Sequence, residues 1–196
     1  MITIGLTGGI ATGKSTVSKI LSEQGIPVLS ADELAHQAIA PGSDGFHQVV
    51  SQFGARILNP AGAIDRKVLG EIVFGDPELR RSLEQIIHPR VIAAIEAQQQ
   101  VAAATGVGIF VVEVPLLFEV GLTGLFDRIW VVSMKPELQK QRLMRRNQVT
   151  AAEAEQRITA QLPLSGKEGK ADLVIYNNKG ILELQHEVLE ALKTLE

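Results

Sequence analysis

No cysteine occurs among the 196 residues, which excludes disulfides and thiolate-held metal. Aromatic side chains make up only 4%, with a single Trp and a single Tyr, so a core must be built mainly from aliphatic residues. There is no basic excess. The formal net charge of −3 argues against a general nucleic-acid binder, and any anionic ligand must be gripped by a local basic cluster. No apolar run is long enough to span a bilayer; the most apolar stretch, Ile109 to Leu122, is short and broken by Glu113 and Glu119. A signal-peptide pattern is missing as well, because the first positive side chain, Lys14, sits inside a motif that leader cleavage would destroy. The expectation is a cytoplasmic protein, monomeric or a small homo-oligomer, with no membrane or nucleic-acid partner.

What is present is an apolar content of 45%, enough to fill the core of one compact unit with inserted subdomains. Short β-branched runs predict buried strands at Ile2–Leu6, Ile26–Leu29, Ile109–Val114, Arg128–Val132 and Leu173–Tyr176. Helical patterns lie between them. Lys14–Gln24 carries Val17, Ile20 and Leu21 on one face and stops at Gly25. Asp76-Pro77 reads as an N-cap followed by Pro at the first helical position, with Leu79, Leu83, Ile86 and Ile87 as the apolar stripe. Thr150 and Glu153 fit a capping box for a helix through Ile158, and a last helix over Ile181–Leu195 shows Leu182, Leu189 and Leu192 at helical spacing.

Alternation of strand and helix predicts an α/β layer fold with a parallel sheet. The gap between the second and third strands is far too long for a simple crossover, so residues 33–87 read as a mostly helical insertion. The Arg-rich stretch 135–170 reads as a flap or lid. The core is then expected from 1–32, 88–134 and 171–196.

The segment Gly8-Gly9-Ile10-Ala11-Thr12-Gly13-Lys14-Ser15 matches G-x-x-x-x-G-K-[S/T], directly after a strand and opening a helix. Glycines let such a loop turn its N–H groups inward as a nest for anions, and the helix N-terminus adds partial positive charge. Gly9, Ala11, Thr12 and Gly13 line this predicted nest. Lys14 is expected to reach the β- and γ-phosphates of a nucleotide, the Ser15 hydroxyl to take one Mg²⁺ position, and Thr16 to lie near the α-phosphate.

Switch NTPases and kinases share this cradle. A guanine-specific switch carries N-K-x-D late in the chain; Asn178-Lys179-Gly180-Ile181 begins like it but ends in Ile, and reads as a turn. A kinase needs a carboxylate near the acceptor hydroxyl and cations for a highly charged donor. Asp32 follows the second strand and can orient or deprotonate a hydroxyl; equally, Ser30 and Glu33 can form a capping box, with Asp32 merely favouring the helix dipole. Arg142 and Arg146 share a helical face, with Arg145 between them and Arg157 one helix later. They serve either as a phosphate-binding flap or as a solvated surface.

Taken together, the chain resembles the dephospho-CoA kinase family over nearly its whole length. The resemblance is carried by LTGGIATGKST (Leu6–Thr16), SADELA (Ser30–Ala35), HPRV (His88–Val91), VEVPLLFE (Val112–Glu119), QRLMRRN (Gln141–Asn147), EAEQRITAQ (Glu153–Gln161) and ADLVIYNNKG (Ala171–Gly180). It implies a three-layer P-loop fold with a five-stranded parallel sheet, a helical domain for the CoA-like substrate, and a lid. It also implies transfer of the ATP γ-phosphate, with Mg²⁺, to the ribose 3′-hydroxyl of 3′-dephospho-CoA, the last step of CoA synthesis. By the same resemblance Asp32 is the base, Lys14 and Arg142 assist transfer, and Arg146 and Asn177 join the ATP site. Arg66, His88, Glu119 and Arg157 then fall on the acceptor side. Four positions depart from the family pattern: Ser30 where an Asp is frequent, Asn147 after the lid arginines, Tyr176 near the expected adenine contact, and Lys179 as an extra residue before Gly180.

Overall fold

In the computed structural model, which describes residues 1–195, the chain opens with β1 (Ile2–Gly8), α1 (Lys14–Glu23) and β2 (Val28–Ser30). Four helices follow: α2 (Ala31–Ala38), α3 (Asp44–Phe53), α4 (Arg66–Phe74) and α5 (Pro77–Ala104). The chain then returns to β3 (Ile109–Glu113), β4 (Arg128–Ser133), α6 (Pro136–Asn147), α7 (Ala151–Thr159), α8 (Leu164–Glu168), β5 (Leu173–Tyr176) and α9 (Ile181–Lys193). It divides into two units, residues 1–30 with 101–195, and residues 31–100.

The first unit is a five-stranded sheet in the order β2-β3-β1-β4-β5, with every pairing parallel, as the strand–helix alternation predicts. Ile4 and Leu6 of β1 point to the face covered by α1 and α9, where Val17, Leu21, Leu184 and Val188 are also buried. Each such side chain contributes about 1.5–3 kcal/mol relative to exposure. Between them Gly5 points to the other face, where a Cβ would lie 2.6 Å from Leu117 and 2.7 Å from Phe126. The period of two along a strand thus sorts one β1 segment between two apolar layers. At the amino edge, the Asp127 carboxylate accepts both the Thr3 N–H and the Thr3 hydroxyl at 2.8 Å, tying the starts of β1 and β4 together.

Two elements differ from their sequence patterns. The second strand begins at Val28 rather than Ile26, because Gly25 (φ 78°) closes α1 and the Ile26 N–H is spent on the Leu21 carbonyl. In α9 the buried stripe is Leu184, Val188 and Ala191, while Leu182 is 75% exposed. Of the other expected positions, Leu189 is half-buried and Leu192 packs at the margin of that core, so the stripe is turned only partly from the expected one.

The second unit has its own core of Ile39, Val49, Phe53, Ile57 and Leu69, against which Leu79, Leu83, Ile86 and Ile87 of α5 pack. Asp76 caps α5, accepting the N–H groups of Glu78 and Leu79. The helix then runs for 28 residues straight through Pro89, although Pro normally ends a helix at the residue before it. The stripe ahead of Pro89 and the buried Val91 and Ile95 behind it hold both halves in helical register. His88 therefore sits inside α5.

Candidate active site

The loop between β1 and α1 is shaped by three residues with positive φ: Gly8 (151°), Ala11 (61°) and Gly13 (102°). A Cβ on Gly8 would lie 2.3 Å from the carbonyl oxygen of Val132, its partner on the neighbouring strand β4, so only glycine fits where β1 runs into the loop. Thr12 is fully buried, and its hydroxyl donates to the Gly9 carbonyl at 3.0 Å. The Lys14 ammonium donates to the same carbonyl at 2.9 Å and to that of Gly8 at 3.4 Å, folding the cation back over the loop. Ser15 is the second residue of α1, with an exposed side chain, and Thr16 follows it.

Sheet register puts this loop where the strands' carboxyl ends meet. Leu6 stands opposite Glu113 on β3, and Glu113 stands opposite Ser30 at the end of β2. The Glu113 carboxylate accepts the Ser18 hydroxyl at 2.6 Å, joining α1 to this edge. Such carboxyl-end crevices are where open α/β sheets bind ligands.

From the other side the loop is braced by residues late in the chain. Asn177, just beyond β5, is 5% exposed and donates its amide to the Thr12 carbonyl at 2.9 Å. A Cβ on Gly13 would meet that amide nitrogen at 2.3 Å and the Arg142 Nη1 at 4.0 Å. Asn177 therefore supports the loop backbone, and Arg142 of α6 brings its guanidinium to the same glycine. Asn178 accepts the Lys135 N–H at 2.7 Å, so the imitation of a guanine motif is a turn bracing the start of α6.

Arg146 is exposed, its Nε donating to Asn147 Oδ1 at 2.8 Å, and Arg157 is exposed on α7. The capping box of Thr150 and Glu153 opens α7 as expected. Glu119 is held by an ion pair and a backbone hydrogen bond. One of its carboxylate oxygens lies 2.7 Å from the buried Lys167 ammonium and accepts the Leu162 N–H at 3.1 Å, so it anchors the segment after α7.

In the helical unit, Asp32 is exposed in the first turn of α2, two residues past the end of β2. Asp65 caps α4 by accepting the Lys67 and Val68 N–H groups, which puts Arg66 at the helix's first position. Its Nη1 lies 2.7 Å from Nε2 of His36, and both line a cavity of about 150 Å³ with Ile39, Pro41 and Ile64. His88 is half-buried within α5.

Sequence patterns alone missed Gln139, Lys167 and His36. Lys167 is the least legible, since a lysine in the polar run Ser165–Lys170 reads as solvated, yet this one is fully buried.

Comparison with known proteins finds relatives over nearly the whole chain. The family model described as dephospho-CoA kinase matches residues 2–183. A dephospho-CoA kinase from Geobacillus kaustophilus is 46% identical over 192 residues, covering 98% of this chain and 96% of the relative. Among solved structures, a Thermus thermophilus protein superposes with a TM-score of 0.86 at 33% identity, over 98% of this chain and 96% of that one. Dephospho-CoA kinase from Campylobacter jejuni superposes with a TM-score of 0.68 at 29% identity, over 99% of this chain and 97% of that one.

Proposed function

The chain belongs to the dephospho-CoA kinase family, and from that premise we propose how its residues carry the reaction, in which the ATP γ-phosphate passes to the ribose 3′-hydroxyl of 3′-dephospho-CoA and gives CoA and ADP. The observation that carries the reading is the phosphate loop, with Ala11 and Gly13 at positive φ and the Lys14 ammonium drawn over it at the carboxyl edge of a parallel sheet.

The N–H groups of Ala11, Gly13, Lys14, Ser15 and Thr16 bind the donor's phosphates, helped by the partial charge at the start of α1. Lys14 leaves its carbonyl acceptors to pair with the β- and γ-phosphates, and Arg142, beside Gly13, neutralises charge that grows on the transferred group. Asp32 aims the acceptor hydroxyl and takes its proton, a role that agrees with its place two residues beyond β2. Arg66 and His88 bind the acceptor's anionic parts from the helical unit and Arg157 does so from the lid, where Arg146 joins Arg142 on the ATP side. Correct positioning alone can supply about 7–11 kcal/mol in well-oriented reactions.

Mg²⁺ fits the donor set around the loop. Among the described residues no group of three or more His, Asp or Glu side chains gathers to hold a metal. The exposed Ser15 hydroxyl suits a cation that arrives with the nucleotide and keeps most of its water. When bound, the ion supplies charge neutralisation between the β- and γ-phosphates.

The test is incubation with Mg-ATP and a panel of acceptors (3′-dephospho-CoA, nucleoside monophosphates, sugar acids), followed by mass analysis. A phosphate added to 3′-dephospho-CoA alone supports the reading. ADP and free phosphate released regardless of acceptor would overturn it in favour of a hydrolytic switch.

A further inference from the structure

The tip of the phosphate loop is gripped by two glutamines from the lid region, one for each backbone group of Ile10. The Ile10 N–H donates to Oε1 of Gln161 at 2.8 Å, and the Ile10 carbonyl accepts Nε2 of Gln139 at 2.9 Å. Gln139 lies in α6 and is 3% exposed; Gln161 follows the end of α7. The contact is close enough to dictate sequence, since a Cβ on Gly9 would lie 2.6 Å from the Gln139 amide nitrogen and 3.2 Å from Leu164.

Planar trans peptides convert these two bonds into orientations, because C=O and N–H of one peptide point in opposite directions. With the Ile10 N–H aimed at Gln161, the Gly9 carbonyl must face the other way, and there it accepts the Lys14 ammonium at 2.9 Å and the Thr12 hydroxyl at 3.0 Å. With the Ile10 carbonyl aimed at Gln139, the Ala11 N–H must point away from α6. Ala11 itself has φ 61°, a region that residues with a Cβ occupy only when their surroundings hold them there.

We propose that Gln139 and Gln161 are positioning residues for phosphoryl transfer: Gln139 aims the Ala11 N–H at the nucleotide's phosphates, and Gln161 sets the Gly9 carbonyl as the resting acceptor from which Lys14 is released. Neither side chain touches the reacting atoms; each acts through one peptide plane. The proposal rests on the reading above that this loop binds ATP. It also links lid and loop, because the residue after Gln161 is fastened by the Leu162 N–H to Glu119. Displacing the lid segment would therefore turn the phosphate-binding peptides.

The test compares wild type with Gln139→Met, Gln161→Met and Gln161→Glu, Met preserving side-chain length and Glu preserving the oxygen acceptor. Four readouts are taken: Mg-ADP affinity by calorimetry, 3′-dephospho-CoA affinity, exchange of the Ile10 and Ala11 backbone amides by NMR, and the thermal midpoint. Loss of one such hydrogen bond should weaken ADP roughly fivefold in each Met variant while acceptor affinity stays at the wild-type value. Gln161→Met should also speed exchange at Ile10, and Gln161→Glu should restore its protection. Wild-type ADP affinity in both Met variants overturns the proposal, as does a parallel loss of ADP affinity, acceptor affinity and thermal midpoint, which is the mark of general damage. If wild type itself binds no ADP, the nucleotide reading of the loop falls, a result distinct from failure of the glutamines alone.

Discussion

The ammonium of Lys167, wholly buried in α8, lies 2.7 Å from Oε1 of Glu119, whose side chain is 19% exposed. The same oxygen accepts the Leu162 N–H at 3.1 Å, and among the described residues no aligned hydrogen bond is donated by the ammonium itself. One charge of the pair is thus closed off from water while the other keeps a wet edge and a second partner. Removing the two residues should have unequal costs. Glu119→Ala strands a buried cation and should cost about 3–5 kcal/mol. Lys167→Met leaves a carboxylate that still reaches solvent and should cost distinctly less. Urea denaturation of both variants checks the order; equal losses would mean that the pair contributes only packing.

The same pair makes stability depend on acid. Burial raises the Glu119 carboxyl's affinity for protons, but the Lys167 ammonium and the backbone N–H groups of Glu119 and Leu162 outweigh it and hold the group below the usual glutamate range. A carboxyl lowered on folding stabilises the protein above its unfolded-state value, and the contribution fades as pH falls through the lower folded value. Thermal midpoints between neutral and strongly acid pH should therefore fall more steeply for wild type than for Glu119→Gln, which has no charge there to lose. Parallel curves would remove Glu119 from the acid response.

How much of this was legible before folding depends on whether the signal was local. Strand runs, the phosphate loop and the Thr150–Glu153 capping box declare themselves within a few residues, and the parallel sheet follows from their alternation. Long-range partners do not. Asn177 could be matched to an ATP site by resemblance, but only the fold sets its amide on the Thr12 carbonyl, 165 positions away. Resemblance set Glu119 on the acceptor side, but its ion-pair partner, Lys167, sits in a stretch with no apolar pattern and gave no local signal. Pro89 misleads in the opposite sense: a local breaker is overridden by apolar stripes on both sides of it.

Asp32 gives the sharpest kinetic test of the proposed chemistry. Asp32→Asn keeps the size and helix position of an exposed side chain, so stability and ADP affinity should stay close to wild type. If the carboxylate aims the acceptor hydroxyl and takes its proton, kcat should fall by about 10²–10⁴-fold. Steady-state assays with 3′-dephospho-CoA, paired with ADP calorimetry, measure both sides. Unchanged turnover would assign Asp32 to the helix dipole of α2 alone.

Gly13 tests whether the loop and its buried support are one mechanical piece. Gly13→Ala meets two obstacles: a φ of 102° that disfavours any Cβ, and the Asn177 amide 2.3 Å from where that Cβ must go. Asn177 is 5% exposed and cannot swing into solvent, so the substitution must shift the loop, break the Asn177–Thr12 hydrogen bond, or do both. Stability should drop by about 1–3 kcal/mol, and ADP affinity at least tenfold, because the Gly13 and Lys14 N–H groups turn with the loop. The two obstacles can be separated. Adding Asn177→Ala to Gly13→Ala removes the clash but not the φ strain, so the double variant should lose less than the sum of the two single losses. Strict additivity in urea denaturation would show that Gly13 is required for backbone conformation alone and that Asn177 does not hold the loop.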